Sequence, residues 1–423
     1  MSPRMRFTLV PALLVVVAGS LHSQFSGYVS GTYGFHQNPM YNFERLGDQV
    51  KQSYTEINYD DNGETAGMKF GYVSGLMIFN RFAERNYYEH ALSANYSRAF
   101  LSGETARQNE NDFAAESDEN GIPLDSSGTH LLVGLKVSAR HDKESYKEFD
   151  NLGSTFIGSF RVGVGDKAVV RITNVLEYRR YVYLAELSNM TEVLSLQLGV
   201  SPGTALDYGL RIGGGVKHFT TSVYDTAKFE AVRTYTEKPG GKGKGGAKLK
   251  VPSSKQLLIN PGSDNIFQFT AGAYVLTRWE NGSLGTELLY RRNPGRPSRY
   301  LAQYVNTSIL NEDIYNDHFS YEGPEARLRC TQRVPLGLQS IVTIAHQRKR
   351  FGAPAVNLLG TEVAGDRIDL RSSIELYLSK YVDLTEALGL DIAISAEVVR
   401  NQSNDEYNDY ALFQFSVSVG IGF

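Results

Sequence analysis

The chain has 423 residues, a formal net charge of -3 and a pI near 6.3. That balance offers no basic surface for nucleic acid, and a single cysteine, Cys330, excludes both an intramolecular disulfide and a cysteine-built metal site. Glycine at 41, tyrosine at 26 and phenylalanine at 21 against one tryptophan make a strand-forming, turn-rich composition.

In chain order, Arg4 and Arg6 precede an apolar run, FTLVPALLVVVAG from Phe7 to Gly19, followed by the small and polar SLHSQ. This is the order of a secretory signal peptide, too short and too near the start to read first as a spanning helix. It is expected to occupy residues 1-23, with cleavage after Ser20 or Ser23; no cysteine follows either site to carry a lipid. No later segment approaches the roughly 18 consecutive apolar residues of a membrane helix.

From residue 24 to 423 the dominant pattern is alternation, the mark of strands with two unlike faces. It appears in FSGYVSGTYGF from Phe25, AGMKFGYVSGLMIF from Ala66, LLVGLKVSAR from Leu131, STFIGSFRVGV from Ser154 and EVLSLQLGV from Glu192. It continues in LDYGLRIGGGVKHF from Leu206, NIFQFTAGAYVLTR from Asn265, EARLRCTQRV from Glu325, RIDLRSSIELYLSK from Arg367 and LDIAISAEVV from Leu390. In LLVGLKVSAR the oily Leu131, Val133, Leu135, Val137 and Ala139 alternate with Gly134, Lys136, Ser138 and Arg140. One face is apolar and the other carries full charges. DLTEALGL from Asp383 fits a helical turn or a tight connection equally well.

The connections come in two lengths that alternate. Asn62-Gly63 and Asn281-Gly282 supply the positive φ of two-residue hairpin turns, and VGVGDKA, SPGTA and VPLG are also short. Between them lie longer polar stretches at 36-48, 80-89, 141-152, 183-191, 222-264, 294-322, 352-365 and 400-409. Short turns at one end and long loops at the other describe one up-and-down sheet with two different rims. Counting between turns gives about 16 strands, with 14 or 18 as alternatives, and an even number puts both termini at the short-turn rim. The acidic stretch from Gly103 to Gly128 falls on the short-turn side but is long, so either it is an insertion there or the count slips beside it.

The last residues read ALFQFSVSVGIGF: Ala411, Phe413, Phe415, Val417, Val419, Ile421 and Phe423 alternate with polar or small residues, with Leu412 as an apolar intruder. An open sheet with one apolar face needs a second layer, and no amphipathic helix supplies one. The alternatives are a soluble sandwich whose oily faces meet, or a closed barrel in lipid, where every backbone polar group must be paired. The terminal strand resembles that of the bacterial outer-membrane β-barrels, porin-like proteins whose last strand alternates and ends on an aromatic residue. The resemblance implies an all-β transmembrane barrel over 24-423 with its long loops outside a Gram-negative outer membrane. It also implies that Phe415, Val417, Val419, Ile421 and Phe423 form the signal read by the barrel assembly machinery. Outer-membrane lipid and that machinery are the expected partners, and homo-oligomerisation is left open.

With the apolar rows outward, the intervening rows face a lumen. This puts Lys136, Arg140, Arg161, Arg171, Arg211, Lys217, Arg278, Arg291, Arg327, Arg329, Arg333 and Arg371 inside, with the acids Glu177, Glu287, Asp369, Glu375 and Glu397. Such a wall can focus anionic solutes, or its arginines can pair with the acids and brace the barrel. Arg327, Arg329 and Arg333, on one face of one strand, are the leading candidates for more than bracing.

Other motifs carry less. Lys238 to Lys255 is glycine- and lysine-rich but lacks the Lys-Ser/Thr ending and helix of a phosphate loop, and reads as a solvated basic loop, or as one that touches surface glycolipid phosphates. Glu116, Asp118, Asn120 and Gly121 imitate a calcium loop, but Ser127 stands where the closing glutamate belongs. Cys330 alternates with Leu328 and should face lipid. His90, His130, His218 and His346 sit in no local motif with a serine and an acid, so no catalysis, metal or cofactor is assigned. The expected function is a channel for small hydrophilic solutes with mild anion preference. The alternatives are an occluded structural or display barrel whose loops bind partners and, less favoured, an outer-membrane hydrolase.

Overall fold

The computed structural model describes residues 25-37, 47-62, 66-100, 128-143, 147, 149-165, 167-221, 227-232, 254-260, 264-295, 300-302, 318-357, 362-406 and 408-423. The signal segment, most of the acidic 103-128 stretch with its calcium-like motif, and nearly all of the 238-255 lysine stretch lie outside them.

Nineteen strands are described: β1 (Phe25–His36), β2 (Asp48–Asn62), β3 (Ala66–Phe79), β4 (Tyr87–Ala99), β5 (Thr129–Asp142), β6 (Asn151–Val164), β7 (Ala168–Tyr181), β8 (Asn189–Gly203) and β9 (Leu206–Phe219) come first. They are followed by β10 (Ala227–Val232), β11 (Ser254–Asn260), β12 (Asn265–Trp279), β13 (Gly282–Arg292), β14 (Tyr300–Ala302), β15 (Tyr321–Val334), β16 (Leu338–Val356), β17 (Glu362–Thr385), β18 (Leu388–Ser403) and β19 (Tyr410–Gly422). Sixteen of them form one closed antiparallel barrel in chain order; β10, β11 and β14 form a separate three-stranded sheet.

Closure is made by β1 on β19, where Tyr28 faces Gly422 and His36 faces Gln414. Gly27 and Phe423 exchange backbone hydrogen bonds of 2.8 and 2.9 Å at the rim. A closed wall has no edge, which rules out the sandwich. The short-turn rim holds both described ends of the barrel and the β6-β7, β8-β9, β12-β13, β15-β16 and β17-β18 turns, Asp383 to Leu390 being one of these tight connections. The β4-β5 connection leaves Ala99 and re-enters at Thr129 on this same rim, so the Gly103-Gly128 stretch is an insertion there and the strand count does not slip. At the other rim, the expected 352-365 loop is partly strand: β16 and β17 pair on to Val356 and Glu362, with register shifts at Pro354, whose missing N–H interrupts the ladder.

Burial is inverted relative to a water-soluble domain. Leu92, Leu135, Leu194, Ile212, Leu288 and Ile374 are all exposed, whereas Arg161, Arg171, Asp207, Lys217, Arg291 and Asp369 are buried. Aromatic residues stand outward toward both ends of the strands: Phe25, Phe70, Tyr208 and Trp279 at the short-turn end, Tyr33, Tyr88, Tyr178, Phe267 and Tyr290 at the other. An apolar belt between aromatic girdles around a polar interior is the arrangement hydrocarbon demands, and the chain is a transmembrane barrel.

The small apolar clusters sit inside the long-loop rim. Two loops are built alike: Phe79-x-x-Phe82-Ala83-Glu84-Arg85-Asn86 and Tyr181-x-x-Leu184-Ala185-Glu186-Leu187-Ser188 each make a short 3₁₀ turn over 83-85 or 185-187. In each, the last residue's side chain accepts the strand-end N–H, Asn86 from Phe79 at 2.8 Å and Ser188 from Tyr181 at 3.0 Å. Phe82 and Leu184 are thereby buried. The Asp48 carboxylate fixes the first loop, accepting from the N–H groups of Arg81 and Phe82 at 2.8 and 3.0 Å. Phe319 packs on Phe219 and Ile266 in the same way, and Leu412, the intruder of the last strand, packs inward on Val399 and Tyr410.

Candidate functional site

The candidate site is the inner wall. Register carries one parity around it: Arg161 faces Arg171, Arg171 faces Gln197, Gln197 faces Arg211, Arg211 faces Gly272 and Gly272 faces Leu289. The row goes on through Glu325, Gln347, Arg371 and Asn401. Glu287, Arg327, Arg329, Arg333, Asp369, Glu375 and Glu397 lie on the same side by the same pairings. So do Lys136, Arg140, Glu177, Lys217 and Arg278. The rows between them, such as Leu284, Cys330, Val342 and Leu376, form the outer face.

The wall also carries acids that alternation did not single out: Asp48, Glu56, Asp60, Glu89 and Asp391. They change the picture of a lumen in which basic residues outnumber acids throughout. From β5 to β15 arginine and lysine predominate; from β17 around to β4 the carboxylates do. The two arcs face each other across the barrel.

Most basic residues of the first arc are held. Arg211 donates to Glu287 at 2.7 Å across the intervening β12, where Gly272 lacks a side chain to block the reach. Arg291 meets Glu325 at 2.5 Å with both side chains nearly buried, and Arg327 shares that carboxylate group at 3.1 Å. Arg140 is bidentate on Asp142 at 2.8 Å, Arg179 holds Glu177 at 2.6 Å, and Arg278 pairs with Asp207. These pairs join neighbouring strands, span one strand between them, or hold a side chain against its own strand, which is bracing.

Lys136, Arg329 and Arg333 differ. None has a carboxylate at ion-pair distance among the described residues, Lys136 and Arg333 are exposed to the lumen, and Arg329 is half-buried with Gly285 and Thr343 beside it. Arg333 opens on a cavity of about 280 Å³ at the short-turn rim, lined also by Gln339, Ser379, Tyr381 and Asp391. On the acidic arc, Glu56 accepts from Tyr54 at 2.6 Å and Asn58 at 2.8 Å, and Asp391 accepts from Tyr28 at 3.2 Å.

Of the four histidines singled out in the sequence, His130 is on the inner side; His36, facing Gln414 and Asp48, is inward too. His90 contacts the Tyr72 hydroxyl at 2.9 Å and His218 contacts Asn265 at 2.8 Å, both on the outer face. His346 and Ser372, also outward, are 2.9 Å apart through Nδ1 and Oγ; sequence spacing of 26 residues hid this pair. Among the described residues no carboxylate orients the other ring nitrogen, so a nucleophile and a base meet without the third group of a triad.

No family model matches the chain, and no curated protein does. Among solved structures it is similar to the outer membrane protein OprD of Pseudomonas aeruginosa, with 11% identity and a TM-score of 0.42 over 95% of this chain and 94% of that one. It is also similar to the outer membrane protein OpdK of the same organism, with 10% identity and a TM-score of 0.43 over 95% and 100%. OccAB2 of Acinetobacter baumannii gives 9% identity and a TM-score of 0.42 over 96% and 99%.

Proposed function

We propose that the protein is a channel of the outer membrane of a Gram-negative bacterium, exported by its N-terminal segment, which passes small hydrophilic solutes with a mild preference for anions. The observation that carries the reading is the wall itself: a closed apolar exterior around charged residues, of which Lys136, Arg329 and Arg333 face the lumen with no acid partner among the described residues. A sixteen-strand barrel is wide enough for water and small solutes. Opposed basic and acidic arcs orient a dipolar solute as it passes, and the unpaired guanidinium groups favour the anionic one. Purified protein in a planar bilayer should give steady channels whose reversal potential in a salt gradient reports anion preference.

A second reading has its own observation. Phe82, Leu184 and Phe319 are tucked onto the inner wall at the long-loop rim and narrow that mouth. An occluded barrel that displays its loops would be folded and electrically silent. The channel reading is non-catalytic; ester hydrolysis abolished by Ser372→Ala would count for the hydrolase instead.

A further inference from the structure

The outer wall is dented where β13, β15 and β16 meet. A groove of about 650 Å³ runs over Pro324 and Ala326 on β15, banked by Leu288 and Tyr290 on one side and Leu370 on the other, with Arg348 also lining it. Its volume is that of a small-molecule site. Sequence makes the dent. Gly323 has φ +141°, and a Cβ there would stand 1.9 Å from the Arg348 carbonyl oxygen, so the two strands approach as only glycine allows. Pro324 then offers no N–H to the ladder, and Ala326 adds little side chain.

The groove has a polar end. Arg348 projects outward on the long-loop side of β16, and Arg292 is the next outward residue beyond Tyr290 on β13, opposite Phe269. Both are exposed, and neither has a carboxylate at ion-pair distance among the described residues. The acids at the neighbouring strand ends are engaged: Glu322 and Asp366 hold Arg350 at 3.4 and 2.8 Å. Two guanidinium groups at the edge of hydrocarbon therefore stand ready for an anion supplied from outside the chain.

We infer that this groove binds one acyl chain of a phosphorylated glycolipid of the outer leaflet, with Arg292 and Arg348 on its phosphate. Charge complementarity selects the occupant, because the cations lie at the long-loop end, where the outer leaflet's headgroups are. The inference rests on the outer-membrane orientation proposed above. An ordered lipid there would seal a stretch of belt where alanine and proline leave the wall thin.

The test is native mass spectrometry of the refolded full-length protein, titrated in detergent with purified lipid A and, separately, with phosphatidylglycerol and phosphatidylcholine. Retained heat-modifiable gel migration shows that each variant is a closed barrel, so failure of the barrel reading is seen independently. Lipid A should bind the wild type in preference to both other lipids. Arg292→Gln with Arg348→Gln should weaken it roughly thirtyfold, at about 1 kcal/mol for each cation near a lipid surface, and Ala326→Phe should block the groove with the charges intact. Equal binding of lipid A by wild type and both folded variants would overturn the inference. Preference for phosphatidylglycerol, lost in the same variants, would overturn the glycolipid assignment and leave an inner-leaflet type of anionic lipid as the occupant.

Discussion

Replacing Arg329 and Arg333 together by glutamine is the sharpest perturbation of the proposed selectivity. An ion passing about 7 Å from a guanidinium gains or loses roughly 0.6 kcal/mol by Coulomb's law in water, and screening at 0.1 M salt about halves this. Because the anion gains what the cation loses, each arginine changes the anion-to-cation permeability ratio about threefold, and the two together somewhat less than tenfold. The contrast is the neutralised pair Arg211→Gln with Glu287→Gln, which removes one charge of each sign from contact at 2.7 Å and should leave the ratio nearly unchanged. The assay is the reversal potential of single channels in a salt gradient, with each variant first shown to be heat-modifiable on a gel. An unchanged ratio in the Arg329 and Arg333 variant, with channels otherwise intact, would refute the reasoning and return both residues to bracing.

Arg291→Met should destabilise the barrel by roughly 3 kcal/mol, the low end for stranding a buried charge, since Glu325 keeps Arg327 at 3.1 Å; the urea midpoint of the vesicle-embedded protein measures it. Gly323→Ala should cost roughly 1–3 kcal/mol from its positive φ and the collision with the Arg348 carbonyl, and an unfolding midpoint equal to wild type would mean that the strands separate there without penalty. Phe423→Ala should refold normally in detergent, because the Gly27–Phe423 backbone pair does not need the ring, yet accumulate unassembled in cells; normal cellular assembly would remove Phe423 from the sorting signal. Ser372→Ala should leave ester hydrolysis at the background level of the wild type, and a measurable wild-type activity lost in this variant would reinstate the hydrolase.

The wall was legible wherever lipid dictates composition. β8 alternates Leu194, Leu196 and Leu198 with Ser195 and Gln197 because each outward position must suit hydrocarbon, and that constraint is visible one residue at a time. β2 was not: its outward row includes Gln49, Lys51, Ser53 and Thr55, so the strand looks like a polar loop and only pairing with β1 and β3 identifies it. The inner face was legible as a list but not as a pattern. Parity alone places Arg211 and Arg329 on one side, whereas the fact that Arg211 has Glu287 and Arg329 has no acid beside it depends on which strands become neighbours. The same limit hid the His346–Ser372 contact and the acidic arc, whose Glu56, Glu89 and Asp391 lie far apart in sequence. One signal was available and unused: the repeated spacing in Phe79 to Asn86 and Tyr181 to Ser188 marks two rim loops of common construction.

The central claim is that alternate residues of each wall strand meet hydrocarbon and water. The chain's single tryptophan, Trp279, makes a clean test possible: in a Trp279→Phe background, tryptophan is placed either at Leu194, outward and 53% exposed, or at its neighbour Ser195 on the inner side. Refolded into vesicles of brominated phospholipid, the 194 variant should be strongly quenched and blue-shifted, and the 195 variant spared by bromine but open to iodide from water. Equal bromine quenching at the two positions, or iodide reaching 194 as readily as 195, would contradict the account.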